Sequence, residues 1–187
     1  MYKAVIISAP SGAGKTSIVK YLLGKDHRLA FSVSATSRPK RVNETDGKDY
    51  YFINPAEFRR RIDAGDFIEW EQVYEGVYYG TLKEEINRLW NDNKIVVFDV
   101  DVKGGINLKK YFGDKALSVF IKVTDVKILE ARLRGRQSES EETLRTRLAK
   151  ATSEMAFEKD FDIAVLNDNF EEACRLTYEK IMDFLKE

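Results

Sequence analysis

The sequence predicts an α/β fold: a five-stranded parallel sheet with helices on both faces, and two segments set apart from it. Three observations carry this. Apolar runs at residues 5–7, 95–98, 117–123 and 163–166 are nearly continuous rather than alternating, as in strands buried on both faces. Stretches of helical period lie between them, which argues for right-handed crossovers. A glycine-rich loop, Ala9-Pro10-Ser11-Gly12-Ala13-Gly14-Lys15-Thr16, follows the first run directly.

Composition bounds the rest. At roughly 150 residues per domain, 187 residues make one domain with room for a small insertion. An aromatic content of 12% with 3 Pro excludes disorder as the main state. No apolar run approaches the ~20 residues of a membrane span. Lys plus Arg total 31 and Asp plus Glu total 31, so no general basic field points to a nucleic-acid partner. Cys174 is the single cysteine and His27 the single histidine, which excludes an internal disulfide and a Cys/His zinc cluster. A reducing, cytoplasmic setting is expected. The start, Met1-Tyr2-Lys3-Ala4-Val5, enters a strand-like run at once and leaves no room for a signal peptide.

Taken in order, the first strand and loop lead into a helix marked by Ile18, Val19, Leu22 and Leu23. Phe31-Ser32-Val33 is a weaker strand. Residues 34–80 then turn polar and aromatic, which predicts a small antiparallel insertion. Within it Asn54-Pro55-Ala56-Glu57 opens a short helix that Gly65 ends. Thr81 and Glu84 read as a capping box before the stripe Leu82, Ile86, Leu89 and Trp90. Residues 125–158 read as wholly helical, with Leu144, Leu148, Ala151 and Met155 in one stripe. In that segment Ser140-Glu141-Glu142 opens a helix. The last helix runs from the cap pair Asn169 and Glu172 through Ala173, Cys174, Thr177 and Ile181. His27 is placed at the surface, Cys174 in the core, and Trp70 in packing that supports Glu69.

The loop matches G-x-x-x-x-G-K-[ST] at every fixed position but the first, where Ala9 stands for Gly. Glycines let backbone N–H groups curl around phosphate oxygens at a helix N-terminus. Lys15 then reaches the β- and γ-phosphates and the Thr16 hydroxyl ligates Mg²⁺. Asp99 and Asp101, at the end of the strand 95–98, suit the ion or its water shell, with Asp99 the metal candidate. The competing reading of these acids is a strand-end turn that caps Gly104-Gly105.

With these motifs on the page, the chain resembles the guanylate kinase family, P-loop enzymes that phosphorylate GMP with ATP, from end to end. The resemblance is carried by residues 31–41 with Ser34, Arg38 and Arg41, by Gly47-Lys48-Asp49-Tyr50, by Phe67-Ile68-Glu69-Trp70, by Tyr78-Tyr79-Gly80-Thr81 and by Asp99-Val100-Asp101. It implies a P-loop three-layer fold: a core of residues 1–33, 82–124 and 159–187, a GMP-binding insertion of 34–81 and a helical lid of 125–158. It further implies that Ser34 and Glu69 read guanine, that Arg38, Arg41, Tyr50 and Tyr79 bind the GMP phosphate, and that Thr81 and Asp101 complete the pocket. Ser11, Gly12, Ala13, Gly14, Lys15, Thr16 and Ser17 would hold ATP, with Arg132, Asn167 and Asp168 nearby. Lys15, Arg41, Arg136 and Arg147 would carry catalysis. Three departures stand out: Ala9, Lys103 where a Gln is usual, and a hairpin at 73–77 one residue longer than usual, across which Tyr79 rather than Tyr78 is chosen.

The chemistry of these residue types fits independently. Guanine offers N1–H and an amino group on one edge, and an ionised carboxylate accepts both, whereas adenine presents an acceptor there. Arginine forks bind phosphate in two places at once. The attacking group would be a phosphate oxygen that is already anionic, so a chain with one histidine lacks nothing. The task is to neutralise charge on a transferring phosphoryl and exclude water. The expected function is ATP:GMP phosphotransfer, extending to dGMP, by a monomer or homodimer. The alternatives are a P-loop kinase of a phosphorylated sugar, or a non-catalytic protein-binding module of the same fold.

Overall fold

The computed structural model describes residues 2–135 and 141–186. The chain runs β1 (Ala4–Ser8), α1 (Lys15–Lys25), β2 (Leu29–Phe31), β3 (Ala35–Thr36), β4 (Tyr51–Phe52), α2 (Pro55–Asp63), β5 (Phe67–Tyr74) and β6 (Val77–Leu82). It continues through α3 (Lys83–Asn91), β7 (Ile95–Asp99), α4 (Val102–Phe112), β8 (Ala116–Lys122), α5 (Val126–Arg134), α6 (Glu141–Met155), β9 (Ile163–Leu166) and α7 (Phe170–Lys186).

Five strands form the main sheet in the order β2-β7-β1-β8-β9, every pair parallel. The central strand shows why the apolar runs are continuous. Val5 and Ile7 pack on one face with Ile18 and Leu22 of α1 and Ile181 of α7. Ala4 and Ile6 pack on the other with Ile86 and Leu89 of α3 and Leu108 and Phe112 of α4. Both faces are covered, so both sets of alternating side chains must be apolar. The layers are helix, sheet and helix.

A four-stranded sheet, β4-β3-β6-β5, follows the first two core strands. It is mixed rather than antiparallel: β5·β6 and β3·β6 are antiparallel, but Ala35–Thr36 pairs parallel with Tyr51–Phe52. The cause is the connection, residues 37–50, which is too long for a hairpin and brings the chain back in the same direction. Gly47, at φ 74°, donates its N–H to the Tyr50 carbonyl to close that return. Phe58 of α2 stacks on Phe67 at 4.4 Å beneath this sheet, with Tyr78 beside them. Asn54 caps α2 by accepting from Glu57 N at 2.8 Å, and Gly65, at φ 71°, follows its end as expected.

Several local expectations are corrected. Thr81 is not a helix cap: Leu82 holds that position, and Thr81 remains paired in β6 with its hydroxyl committed to Glu69. The second strand is Leu29–Phe31, because Leu29 begins the pairing with Ile95. A helix at Val102–Phe112 was obscured by Gly104 and Gly105, which lower helix propensity. A Cβ at Gly105 would stand 2.3 Å from Ser8 Oγ, so glycine is what lets α4 lie against β1. The segment 125–158 comprises α5, α6 and the start of a 3₁₀ turn, Ala156–Asp160. The proposed cap at Ser140 and the catalytic candidate Arg136 lie outside the described residues. Trp70 is 45% exposed, and alternation along β5 aims it away from the face of Glu69. Asn169 does cap the last helix, accepting from Glu172 N at 3.0 Å.

Candidate active site

Parallel strands β1 and β7 end side by side, with Ile7 opposite Asp99, so whatever follows them meets at one edge of the sheet. After β1 comes the glycine loop. Gly12 and Gly14 take φ of 91° and 94°, values that L side chains resist. Gly14 precedes α1 with no side-chain cap, leaving the helix's first N–H groups for a ligand. Ala9 needs no positive φ, and its methyl is buried in the core cluster of β1 and α1, which accounts for its replacing glycine.

Asp99 gathers the loop's two functional side chains. Lys15 Nζ forms an ion pair with it and donates to the Val100 carbonyl at 2.8 Å. Thr16 Oγ1 donates to Asp99 Oδ2 at 2.9 Å. These hard oxygen donors beside a phosphate loop fit a divalent cation that takes its remaining ligands from nucleotide and water. Among the described residues no group of three or more His, Cys, Asp and Glu forms a self-sufficient metal cluster.

A cavity of about 770 Å³ separates the loop from α6 and is lined by Ser11, Gly12, Gly14, Lys15, Thr16 and Ser17 on one side and Arg147, Lys150 and Glu154 on the other. Its volume lies in the range of nucleotide-sized ligand sites. Arg147 Nη2 donates to Ser11 Oγ at 3.0 Å. Glu154 was not anticipated: its buried carboxylate accepts from Ser11 N at 3.4 Å, and burial pushes its pKa up. Arg132 and Asn167 hold the loop from behind. Asn167 Nδ2 donates to the Ala13 carbonyl at 2.6 Å, and Arg132 Nη2 donates to the Asn167 carbonyl at 2.8 Å. Asp168 faces elsewhere, accepting from Thr124 Oγ1 at 2.6 Å, which lowers its pKa.

On the mixed sheet, Glu69 Oε1 accepts from Thr81 Oγ1 at 2.7 Å. Burial pushes Glu69 above the usual carboxylate range, against the lowering effect of that hydrogen bond. Asp101 caps α4, accepting from Gly104 N at 2.8 Å, as in the reading of a strand-end turn that caps Gly104-Gly105, and the residue also lines the cavity. Ser34 is half-buried next to β3. Arg38, Tyr50 and Tyr79 form one cluster: Arg38 Nε donates to Tyr79 Oη at 3.1 Å, and the Tyr50 and Tyr79 rings meet edge-on at 5.8 Å. Tyr78 is instead buried against Phe58. Arg41 is exposed.

Two further acids escaped the sequence reading. Glu44 forms a two-pronged pair with Arg38. Glu85, 1% exposed, accepts from Tyr51 Oη at 2.8 Å, Val33 N at 3.3 Å and Arg88 Nε at 2.9 Å, and so ties α3 to the mixed sheet. Each is one acid in a charged stretch, and no spacing signals it.

A phosphate loop at the carboxyl edge of a parallel sheet, its lysine and threonine on a strand-end aspartate, defines a P-loop nucleotide-binding phosphotransferase fold. A family model described as guanylate kinase matches residues 1–186, and the chain belongs to that family. It is 48% identical to the guanylate kinase of Bacteroides thetaiotaomicron, over 98% of this chain and 90% of that protein. It is 44% identical to the guanylate kinase of Porphyromonas gingivalis, over 99% of both chains. The crystal structure of guanylate kinase from Anaplasma phagocytophilum superposes with a TM-score of 0.75 at 24% identity, over 97% of this chain and 85% of that one, a likeness of fold.

Proposed function

We propose that the chain transfers the γ-phosphoryl of ATP to GMP, giving ADP and GDP, and to dGMP, giving ADP and dGDP, in the cytoplasm. The observation that carries this is Glu69: a half-buried, acceptor-only group held by Thr81 and close enough to feel the charge of Asp101, which lines the phosphate-loop cavity. A sugar substrate needs no such reader. Residues 34–81, with Ser34 and Glu69 as the base readers, are the acceptor-binding part, and 125–158 the lid.

The steps belong to this chain's own groups. Loop N–H groups and Lys15 receive the ATP phosphates, drawing Lys15 from Asp99. Thr16 and Asp99 would hold Mg²⁺, which would supply neutralisation of the phosphate charge. Arg41, Tyr50 and Tyr79 hold the acceptor phosphate, whose oxygen attacks in line without a general base. Arg147, docked on Ser11, brings positive charge to the transferring group. Closing α6 over the loop excludes water that would otherwise hydrolyse ATP.

The test is ADP release from ATP·Mg²⁺ with GMP, dGMP, AMP, CMP, UMP and no acceptor in parallel. Turnover confined to the guanine nucleotides supports the assignment. Equal rates with AMP, or no turnover with GMP, would sink it.

A further inference from the structure

We infer that Tyr74 screens the phosphate-loop cavity from water: a β-bulge turns its ring to the Glu69 face of the mixed sheet, at the mouth of that cavity and across from α6. The inference rests on the reading above that this cavity holds the transferring phosphoryl.

The register of the β5·β6 ladder sets the direction of the ring. Trp70 pairs with Gly80, Glu71 with Tyr79 and Gln72 with Tyr78, but Tyr74 pairs with Val77. Between those last two pairs β5 therefore carries one residue more than β6. Residues opposite each other in an antiparallel pair point to one face, and successive residues alternate. Strict alternation would set Tyr74 with Trp70 and Gln72, on the side where Tyr78 packs against Phe58 of α2. The bulge at Val73 reverses this. Tyr74 takes the face of its partner Val77, which Val77 shares with Tyr79 and Thr81 further along β6. On that face Thr81 donates to Glu69. Glu75 and Gly76, the latter at φ 73°, make the turn that closes the hairpin.

The cavity shows what the ring meets there. Among the residues that line it, Tyr74 is the one from the mixed sheet, and Glu142, Thr143 and Lys150 of α6 border the same space. Tyr74 is 73% exposed, so its ring forgoes the burial that stabilises a core aromatic and stands at the solvent edge. Closing α6 over the loop covers it. A neutral ring suits this place, because it displaces water without adding negative charge near the phosphates, as a carboxylate like Glu75 would.

The reaction to be prevented is hydrolysis. Water that reaches the γ-phosphorus forms a P–O bond as the bond to the β-phosphate oxygen breaks. ADP and inorganic phosphate leave, a proton passes to solvent, and no GDP forms.

The experiment measures inorganic phosphate and GDP released from ATP·Mg²⁺ with GMP, beside the ATP KM and thermal unfolding. It compares the full chain with Tyr74→Ala, Tyr74→Phe and Trp70→Ala. Tyr74→Ala is expected to raise the phosphate released per GDP formed about tenfold or more, with the ATP KM within about twofold. Tyr74→Phe keeps the ring and should match the parent. Trp70→Ala removes an exposed aromatic from the other face of the same strand and should leave the ratio unchanged. An unchanged ratio in Tyr74→Ala overturns the proposal. So does an equal leak in Tyr74→Phe, which would put the role in the hydroxyl, or in Trp70→Ala, which would trace it to a loosened hairpin. A parent chain that does not use GMP overturns the function reading and this inference with it, whereas an active parent unmoved by Tyr74→Ala sinks this inference alone.

Discussion

Thr81 Oγ1 donates to Glu69 Oε1 at 2.7 Å across the β5·β6 ladder, and this bond aims a half-buried carboxylate whose remaining lone pairs are open to a ligand. Burial raises the Glu69 pKa, and a guanine edge that donates two hydrogens favours the ionised form. GMP binding therefore weakens as pH falls through that raised value, at a higher pH than for an ordinary carboxylate. Glu69→Gln presents an amide donor to guanine's donors and is expected to lose on the order of 10–100-fold in kcat/KM for GMP, with the ATP KM little changed. It should also lose this acid limb, leaving only the limb of the GMP phosphate itself. Parallel pH profiles of the two chains check both points, and equal damage to both nucleotides would refute the base-reading role.

Asp99 holds Lys15 and Thr16 together before any nucleotide arrives. Its replacement by Asn removes the counter-charge of Lys15 and one oxygen ligand for the ion. ATP binding in EDTA should be equal or tighter, while turnover with Mg²⁺ falls about 100-fold. Calorimetry with and without Mg²⁺, beside steady-state rates, separates the two effects. Weaker binding in EDTA would show that Asp99 positions the lysine rather than competing with phosphate for it.

Most of what depended on local period or local stereochemistry was legible beforehand. The alternation of Ala4 and Ile6 against Val5 and Ile7 is hidden in one apolar run, yet the run itself announced a strand covered on both faces. Asn54-Pro55 and Asn169-Glu172 announced their helices because capping is a matter of a few neighbouring residues. Thr81 carried the same signature and failed, since Glu69, twelve residues away, takes its hydroxyl. The parallel pairing of β3 with β4 was beyond reach because it depends on how a long connection returns. Glu44, Glu85 and Glu154 look like surface charge in the sequence, and only folding brings them to Arg38, Tyr51 and Ser11.

Gly80 tests how closely β5 and β6 must approach around Glu69. A Cβ there would lie 2.8 Å from the Glu69 carbonyl oxygen and 2.8 Å from the Phe67 ring. The carbonyl is backbone within a paired strand and cannot swing aside. Gly80→Ala is expected to cost roughly 1–3 kcal/mol and to raise the GMP KM more than the ATP KM. Denaturant unfolding with nucleotide kinetics reads both. A variant as stable as the parent would show that the ladder has slack.

Asp26 contributes to the acid limit of stability. Its side chain is 5% exposed and accepts from Arg28 Nε at 3.0 Å and Nη2 at 2.6 Å, with Arg28 N donating at 2.9 Å. The Arg28 hydrogen bonds lower its pKa from 3.8 to about 2, against the opposing effect of burial. A depressed carboxylate stabilises the fold above its unfolded pKa and loses that contribution as pH falls through the folded one. The term is therefore complete above pH 3.8 and fades down to about pH 2. At about 1.4 kcal/mol per pKa unit it is worth about 2 kcal/mol, less some screening because Arg28 is half exposed. Asp26→Asn should thus lower stability at neutral pH and flatten its decline between pH 4 and pH 2 (both on the order of the pKa values above). Unfolding free energies of the two chains should converge at the acid end, and parallel curves across that range would place the acid-sensitive group elsewhere.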